Sequence, residues 1–309
     1  AGYHAASITQ RSILMTAKEL LAARAFRWCL LATGLLAVLA MAVLGYLRWR
    51  PVAAAPGWQY TVLVDDVEMI DSLVVSPAGE LLGTTQHNHG KGELVRFDRN
   101  WQVTTLLSGL SKPAGLLPWR DGVLIAQEEQ NMWVMYWTPS GARPLFRSDY
   151  AEGITKLNNG NIVILADRKN GELTEFNPDT GSSRILLSGL DKGEGLCAMP
   201  DGRIYFTEKQ RNSSLYQYQA GEGPRAGGKL ALIGGLQSPG FLLCTPQGIW
   251  ITEDRTNDGR LLFWDFARLQ VIAEHLHAPQ SVLIRSDHEL LLAEQGRSRL
   301  LLFSRNSKP

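Results

Sequence analysis

The stretch "VILADRKNGELTEF", residues 163–176, contains the pattern that decides the fold. An apolar run is followed by the turn signal Asn170-Gly171 and then by a segment that alternates apolar and polar residues. This pattern predicts a β-hairpin. One acid, Asp167, directly follows the first strand. Because the pattern recurs along the chain, the repeat has to be defined before the role of this acid can be interpreted.

The pattern occurs six times, and the ends of its second strands are 40 to 45 residues apart. The copies begin with "DSLVVSPAGEL" (71–81), "AGLLPWRDGV" (114–123), "EGITKLNNGNI" (152–162), "EGLCAMPDGRI" (194–204), "GFLLCTPQGIW" (240–250) and "QSVLIRSDHEL" (280–290). Short apolar strands with turn signals at such a period predict four-stranded blades in a ring. The sequence therefore predicts an all-β, six-bladed β-propeller over residues 58–309.

The sixth copy lacks a fourth strand, because the repeat stops near Phe303. A spare strand-like segment, "WQYTVLVDDV", occurs at residues 58–67, before the first copy. Pairing the two ends of the domain would remove a free sheet edge. We therefore predict that residues 58–67 supply the closing outer strand of the last blade.

The amino-terminal part contains an uncharged segment of twenty residues, "WCLLATGLLAVLAMAVLGYL", at positions 28–47. A helix of this length reaches about 30 Å, the thickness of the hydrocarbon layer. It predicts a transmembrane α-helix over residues 27–49, preceded by a cytoplasmic amphipathic segment (1–26) and followed by a linker (50–57). A signal peptide is the alternative, because small residues follow the span, but its apolar region would be unusually long.

Charge indicates the orientation of the predicted span. Residues 1–57 contain six Lys or Arg and one acid, whereas the complete chain has a net charge of +1. The excess of bases before the span places the amino terminus in the cytoplasm and the propeller in the periplasm of a bacterial inner membrane. The mildly acidic remainder argues against a nucleic-acid partner.

The chain has three cysteines, too few for a disulfide framework. Cys29 lies in the predicted span, and Cys197 and Cys244 fall in predicted inner strands. We expect free, buried thiols.

The six phrases resemble the six-bladed superfamily of gluconolactonase and senescence marker protein, strictosidine-synthase-like proteins and NHL-repeat propellers, over about residues 58–306. The resemblance implies a divalent metal, usually calcium, at the top of the channel, bound by a Glu, two Asn and an Asp from the starts of inner strands. The equivalent positions here are Asp71, Ala114, Glu152, Glu194, Pro239 and Gln280. Asp71, Glu152 and Glu194 are the metal candidates that follow. Glutamates replace two asparagines, and Pro239 replaces the aspartate.

Acids and histidines recur where second strands end. Asp167, Glu208, Glu253 and Glu294 are expected to accept backbone N–H groups from the following loops, which contain Asn170, Asn212 and Asn257. His87, His89, His275 and His277 are expected on the same face of the propeller. His87 and His277 are the candidates for a general base.

Two functions from different classes follow. The first is an accessory or interaction subunit of a membrane protein complex, with an integral membrane partner and room for a small ligand on the top face. Exposed aromatic side chains in the third strands are expected to support it: Trp133, Tyr136, Trp137, Tyr216 and Trp264. The second is a metal-dependent lactone or ester hydrolase. A strictosidine-synthase-like condensation is a more distant third.

Overall fold

The computed structural model describes residues 17–221 and 227–305. These residues divide between Arg50 and Pro51 into an amino-terminal helix and a β-propeller. Helix α1 (Ala17–Trp49) contains an apolar part, Arg24–Leu47, with a mean hydropathy of 2.3 and exposed side chains. Residues 17–26 of the predicted amphipathic segment belong to this helix, and residues 1–16 of that segment lie outside the described residues.

The strands form six antiparallel sheets, one for each predicted blade. In chain order they are β1 (Ala53–Ala54), β2 (Trp58–Asp65), β3 (Ile70–Val75), β4 (Leu81–Thr85), β5 (Gly92–Phe97), β6 (Val103–Leu110), β7 (Pro113–Trp119), β8 (Gly122–Gln127), β9 (Met132–Thr138), β10 (Gly141–Ser148), β11 (Ala151–Lys156), β12 (Ile162–Ala166), β13 (Lys169–Phe176), β14 (Ser183–Asp191), β15 (Gly193–Ala198), β16 (Ile204–Glu208), β17 (Ser213–Gln219), β18 (Gly228–Leu236), β19 (Pro239–Thr245), β20 (Gly248–Glu253), β21 (Gly259–Trp264), β22 (Leu269–Leu276), β23 (Pro279–Ser286), β24 (Glu289–Glu294) and β25 (Arg299–Arg305). A short 3₁₀ helix, Gln295–Arg297, precedes β25.

The ring closes as the sequence predicts. Strand β2 pairs with β25, and the register places Tyr60 opposite Phe303. Their rings lie 5.9 Å apart between centroids. The predicted linker contains β1, which adds a fifth strand to blade 5 by pairing with β22. The six-bladed fold with a closing strand from the start of the domain is therefore confirmed.

The core consists of six apolar clusters, each between two neighbouring blades. Strand β12 shows how one strand serves two clusters. Ile162 and Ile164 pack against blade 2, and Val163 and Leu165 pack against blade 4. Alternate side chains of a strand point to opposite faces, so a strand buried on both faces has an uninterrupted apolar sequence.

Two expectations about side chains are corrected by the structure. Cys197 and Cys244 form a disulfide between β15 and β19, the inner strands of blades 4 and 5. Their Cα atoms lie 5.6 Å apart, because adjacent inner strands converge on the channel axis. Cys29 is a free, exposed cysteine.

The third-strand aromatic residues do not form an exposed surface. Tyr136 and Trp137 are buried in the clusters on the two sides of blade 2. Trp133, Tyr216 and Trp264 are half-buried. Each third strand has a neighbouring blade on either face. The large rings of these strands therefore fill the wedge-shaped spaces between adjacent sheets. The aromatic argument for a docking surface is therefore wrong.

Candidate functional site

One backbone arrangement recurs in every blade at the same end of the channel, which we call the mouth. The residue before each inner strand has a left-handed backbone conformation, with φ between 43° and 58°. Its carbonyl accepts the N–H of the residue that follows the second strand of the same blade, at 2.8 to 3.2 Å. The residues with this conformation are Met69, Lys112, Tyr150, Lys192, Ser238 and Ala278. This arrangement brings two side chains of each blade to the channel: one near the start of the inner strand and one directly after the second strand.

We name these two sets of positions by their place in the strands. The inner ring is the second residue of each inner strand: Asp71, Ala114, Glu152, Glu194, Gly240 and Gln280. The mouth ring is the residue whose N–H makes the recurring bond: Gln86, Glu128, Asp167, Lys209, Asp254 and Gln295.

The register corrects one inner-ring assignment. Pro239 pairs with Glu253, as Pro279 pairs with Glu294, so Pro239 is the first residue of its inner strand. The inner-ring position of blade 5 is therefore Gly240. Because glycine has no side chain, the conclusion that blade 5 supplies no side-chain ligand at this position is unchanged.

One lysine bridges two carboxylates at the mouth. The ammonium group of Lys209 lies 2.7 Å from Oε1 of Glu194 and 2.8 Å from Oδ2 of Asp254. Both acids raise the pKa of Lys209, and their effect outweighs its burial. Burial raises the pKa of Glu194 to about 8, with the Lys209 charge opposing the shift. Lys209 therefore carries its charge across the physiological range.

A second lysine serves the other side of the mouth. Lys112 forms an ion pair with Glu128, which outweighs burial and raises the pKa of the lysine. Gln295 donates to Gln86 and Gln86 donates to Glu128, both at 3.3 Å. These contacts connect side chains of blades 6, 1 and 2 around the channel.

Blade 3 has acids but no base at the mouth. Glu128 lies within hydrogen-bonding reach of both Glu152 and Asp167. Oε2 of Glu152 and Oδ1 of Asp167 are buried, and neither has a hydrogen-bond partner among the described residues. Burial, and next the charge of Glu128, raises the pKa of Glu152 well above its ordinary value and that of Asp167 to about 6. These groups retain protons or require a cation.

Asp71 completes the acidic group from blade 1. Burial, and next the charge of Glu128, raises its pKa to about 7. The inner ring and the mouth ring together place six carboxyl groups around two ammonium groups: Asp71, Glu128, Glu152, Asp167, Glu194 and Asp254, with Lys112 and Lys209. The mouth has an excess of acids that burial penalises.

The acids at the ends of second strands fasten neighbouring blades together. Glu208, Glu253 and Glu294 each accept a backbone N–H at 2.7 to 2.8 Å, from Asp191, Gln237 and His277 respectively. These donors lie at the end of the outer strand of the preceding blade or directly after it. They do not belong to the Asn-containing loops that the sequence suggested. Glu208 also pairs with Lys229, Glu253 pairs with Arg260, and Glu294 pairs with both Arg297 and Arg299.

Asp167 does not belong to this structural set. In β12 the residue equivalent to Glu208 is Ala166, because Ala151 pairs with Ala166 as Gly193 pairs with Glu208. Asp167 is therefore the counterpart of Lys209 and lies at the mouth. The expectation that Asp167 only fastens a turn is wrong, because the alignment was displaced by one residue.

The candidate histidines do not line the cavity of the channel. His277 is buried, its N–H donates to Glu294, and its Nε2 lies 3.0 Å from Nη2 of Arg297. The carbonyl of His87 accepts the N–H of Lys112 at 2.7 Å. A base role for His87 or His277 stays a prediction.

A cavity of about 40 Å³ lies in the channel beside the inner ring. Its polar lining includes Asp71, Glu152, Glu194 and Gln280, and its apolar lining includes Leu116 and Phe241. A space of this size holds a few water molecules or one small ion.

The metal candidates Asp71, Glu152 and Glu194 share this cavity, but they do not form a metal-binding group. Within residues 17–221 and 227–305, no three His, Cys, Asp or Glu side chains are close enough to hold one ion. The ammonium of Lys209 already contacts Glu194. The residues as arranged therefore do not fit the calcium that the resemblance implies.

Half of the charged side chains at the mouth were not identified from the sequence. Lys112, Glu128, Lys209 and Asp254 were not singled out, although three of them directly follow the strand-end residues Gln127, Glu208 and Glu253. Consecutive strand residues point to opposite sides. The residue after each strand-end position was therefore the signal for a side chain that faces the channel.

The sequence matches no protein-family model and no curated protein. Solved structures do share the fold. A gluconolactonase from Xanthomonas campestris has a TM-score of 0.67 at 13% identity, over 82% of this chain and 91% of that chain. The calcium structure of a Trichoderma reesei enzyme of carbohydrate-active family AA12 has a TM-score of 0.66 at 10% identity, over 82% and 97% of the two chains. An auxiliary nutrient binding protein from Bacteroides thetaiotaomicron has a TM-score of 0.62 at 12% identity, over 79% and 70%. At these identities the likeness establishes the fold alone.

Proposed function

We propose that this chain is a membrane-anchored, extracytoplasmic propeller that acts as a binding or accessory subunit of a membrane protein complex. The observation that carries the proposal is the closed channel mouth. The resemblance to gluconolactonases implies that the chemistry of those enzymes occurs at this end of the channel. Here the mouth is filled by the protein's own ion-paired side chains.

Size and charge argue against a substrate in the channel. Pockets that enclose small-molecule ligands measure about 300–1,000 Å³, whereas the cavity beside the inner ring measures about 40 Å³. Opening it requires separating Lys209 from Glu194 and Asp254, whose carboxyl groups are largely buried. Breaking a buried ion pair costs about 3–5 kcal/mol. Binding on the outer faces of the propeller has no such cost.

The amino-terminal helix supports a membrane location. The apolar part of α1, Arg24–Leu47, is long enough to cross a bilayer, and its large apolar side chains are exposed. A signal sequence would share these properties. The disulfide between Cys197 and Cys244 favours an oxidising compartment outside the cytoplasm under either interpretation. The charge bias before the span supports an amino terminus in the cytoplasm of a bacterial cell.

The helix also supports an integral membrane partner. Gly34 and Gly45 have open space where a side chain would project. Small residues allow another helix to approach closely in a membrane. The nutrient binding protein among the structural neighbours shows that this architecture also occurs in a protein described by binding. A small ligand on the mouth face is compatible with the same role.

The proposal is tested by exchanging the helix. The full chain and a variant with residues 24–47 replaced by a Leu-Ala span of equal length are each tagged at the carboxyl terminus and purified from their native membranes in mild detergent. We expect a second polypeptide at a fixed molar ratio with the full chain, reduced or absent with the exchanged helix. A monodisperse single chain in both samples would refute the accessory role.

A metal-dependent lactone or ester hydrolase is the second candidate. The buried oxygens of Glu152 and Asp167 without hydrogen-bond partners favour it, because a cation would satisfy both. This candidate requires Asp71, Glu152 and Glu194 to move together around a calcium ion, because as arranged they do not fit one. His87 or His277 would be the base. Calcium-dependent lactone hydrolysis that is lost in Glu152→Gln would establish it. Absence of hydrolysis at millimolar calcium would remove it.

A further inference from the structure

Lys209 occupies the centre of a charge arrangement that metal ions often occupy in proteins. Its ammonium contacts one carboxylate oxygen from blade 4 and one from blade 5, at 2.7 and 2.8 Å. The side chains of Glu194 and Asp254 are only 5% and 13% exposed. Two buried carboxylates from different blades therefore share one positive charge.

Blade 3 shows what the mouth looks like without this lysine. Glu152 and Asp167 hold the two positions that Glu194 and Lys209 hold in blade 4. Here both positions carry acids, and one oxygen of each has no hydrogen-bond partner in the described part of the chain. The comparison of blade 3 with blade 4 indicates that the Lys209 ammonium satisfies the carboxylates of Glu194 and Asp254.

We infer that the ammonium group of Lys209 is a built-in cation that replaces a divalent metal ion in the channel mouth, and that removing it converts the mouth into a calcium site. Glu194 lines the cavity together with Asp71, Glu152 and Gln280. Asp254 contacts the same Lys209 ammonium as Glu194, so removing the ammonium would leave both carboxylates without its charge. All of these donors are oxygen atoms. Calcium accepts six to eight oxygen ligands in irregular geometry, whereas magnesium requires a near-ideal octahedron.

The test is the thermal stability of the full chain in detergent after removal of metals with EDTA. Three proteins are compared: the wild type, Lys209→Met, and Lys169→Met as a control with an exposed lysine. Tryptophan fluorescence gives the Tm with and without 1 mM calcium. We expect Lys209→Met to have the lowest Tm in EDTA and to gain at least about 3 °C with calcium, equivalent to about 1 kcal/mol for a domain of this size. The wild type and Lys169→Met should shift by less than about 1 °C.

A double variant, Lys209→Met with Glu194→Gln, shows whether the new response uses the mouth. We expect it to lose most of the calcium gain. A calcium gain in the wild type equal to that of Lys209→Met would overturn the inference, as would a Lys209→Met protein that calcium does not stabilise. If Lys209→Met fails to fold, recovery of folded protein only when calcium is present during purification supports the inference, and equal failure with and without calcium overturns it. These outcomes are independent of whether a partner subunit exists.

Discussion

The disulfide between Cys197 and Cys244 joins β15 and β19, the inner strands of blades 4 and 5. Thr207 accepts the N–H of Gly195 at 2.9 Å and donates to the carbonyl of Gly240 at 3.1 Å. The disulfide and this threonine therefore connect the two blades directly beside Glu194 and Asp254.

Loss of the disulfide should destabilise the propeller. The bond closes a loop between positions 47 residues apart, and the chain-entropy model gives about 4 kcal/mol for such a loop. We expect Cys197→Ser to lower the free energy of unfolding by about 2–4 kcal/mol in urea denaturation. Cys29→Ser, which changes an exposed free cysteine, should have no measurable effect. Equal stability of Cys197→Ser and the wild type would contradict the structure.

Glu294 should be among the most sensitive acids in the chain. It is fully buried, accepts the N–H of His277, and pairs with Arg297 and Arg299. Glu294→Ala leaves both arginines without this partner, so we expect a loss of about 3–5 kcal/mol. Glu289 in the same strand is the control, because its pair with Arg285 at 3.9 Å is exposed. Glu289→Ala should cost less than about 1 kcal/mol, and equal losses in chemical denaturation would disprove the fastening role.

The stability of the propeller should fall as the pH rises from about 4 to 8. The pKa values of Asp71 and Asp167 in the folded state are about 7 and 6, above their ordinary values. The folded state therefore binds more protons than the unfolded state in this range, and stability declines with pH. For Asp71 alone the shift corresponds to roughly 4 kcal/mol at most.

Urea denaturation at pH 5, 6, 7 and 8 measures this dependence. Asp71→Asn removes one titrating group, so its stability should decline less steeply with pH than that of the wild type. Stability that rises with pH in the wild type, or an unchanged slope in the variant, would show that these carboxyl groups are not held in the protonated form.

Glu152→Gln should stabilise the protein above neutral pH. Burial raises the pKa of Glu152, so the group is held protonated at a cost that grows as pH rises through its ordinary range. A neutral amide avoids that cost and can donate to Glu128. We expect a gain of about 1 kcal/mol or more at pH 8, the lower end of the cost of an unsatisfied buried polar atom, and little change at pH 5. Glu68→Gln, at an exposed acid, is the control, and a loss of stability at pH 8 would count against an unpaired Glu152.

The architecture could be predicted from the sequence because its signals are local and repeated. A second strand like Ile162–Ala166 recurs in each blade. The strand that blade 6 lacks is supplied by the spare strand at Trp58–Asp65. Repetition averages out errors of one or two residues. Those errors do not affect the number of blades or the way in which the ring closes.

The candidate site was predictable only in part, because it depends on single-residue register. Asp71, Glu152 and Glu194 were identified and do line one cavity. Asp167 was aligned with the strand-end acids, although the pairing of Ala151 with Ala166 places Asp167 one position later. The pairing of Cys197 with Cys244 required the distance between two inner strands, which no local pattern contains.

Native mass spectrometry of the full chain, extracted from its own membrane in mild detergent, tests the central claim most directly. One spectrum reports both a partner and a bound metal. The account predicts a mass above one chain, a second polypeptide at fixed stoichiometry, and no divalent ion retained by the propeller. A single chain that carries one tightly bound divalent ion would contradict it and would favour the hydrolase.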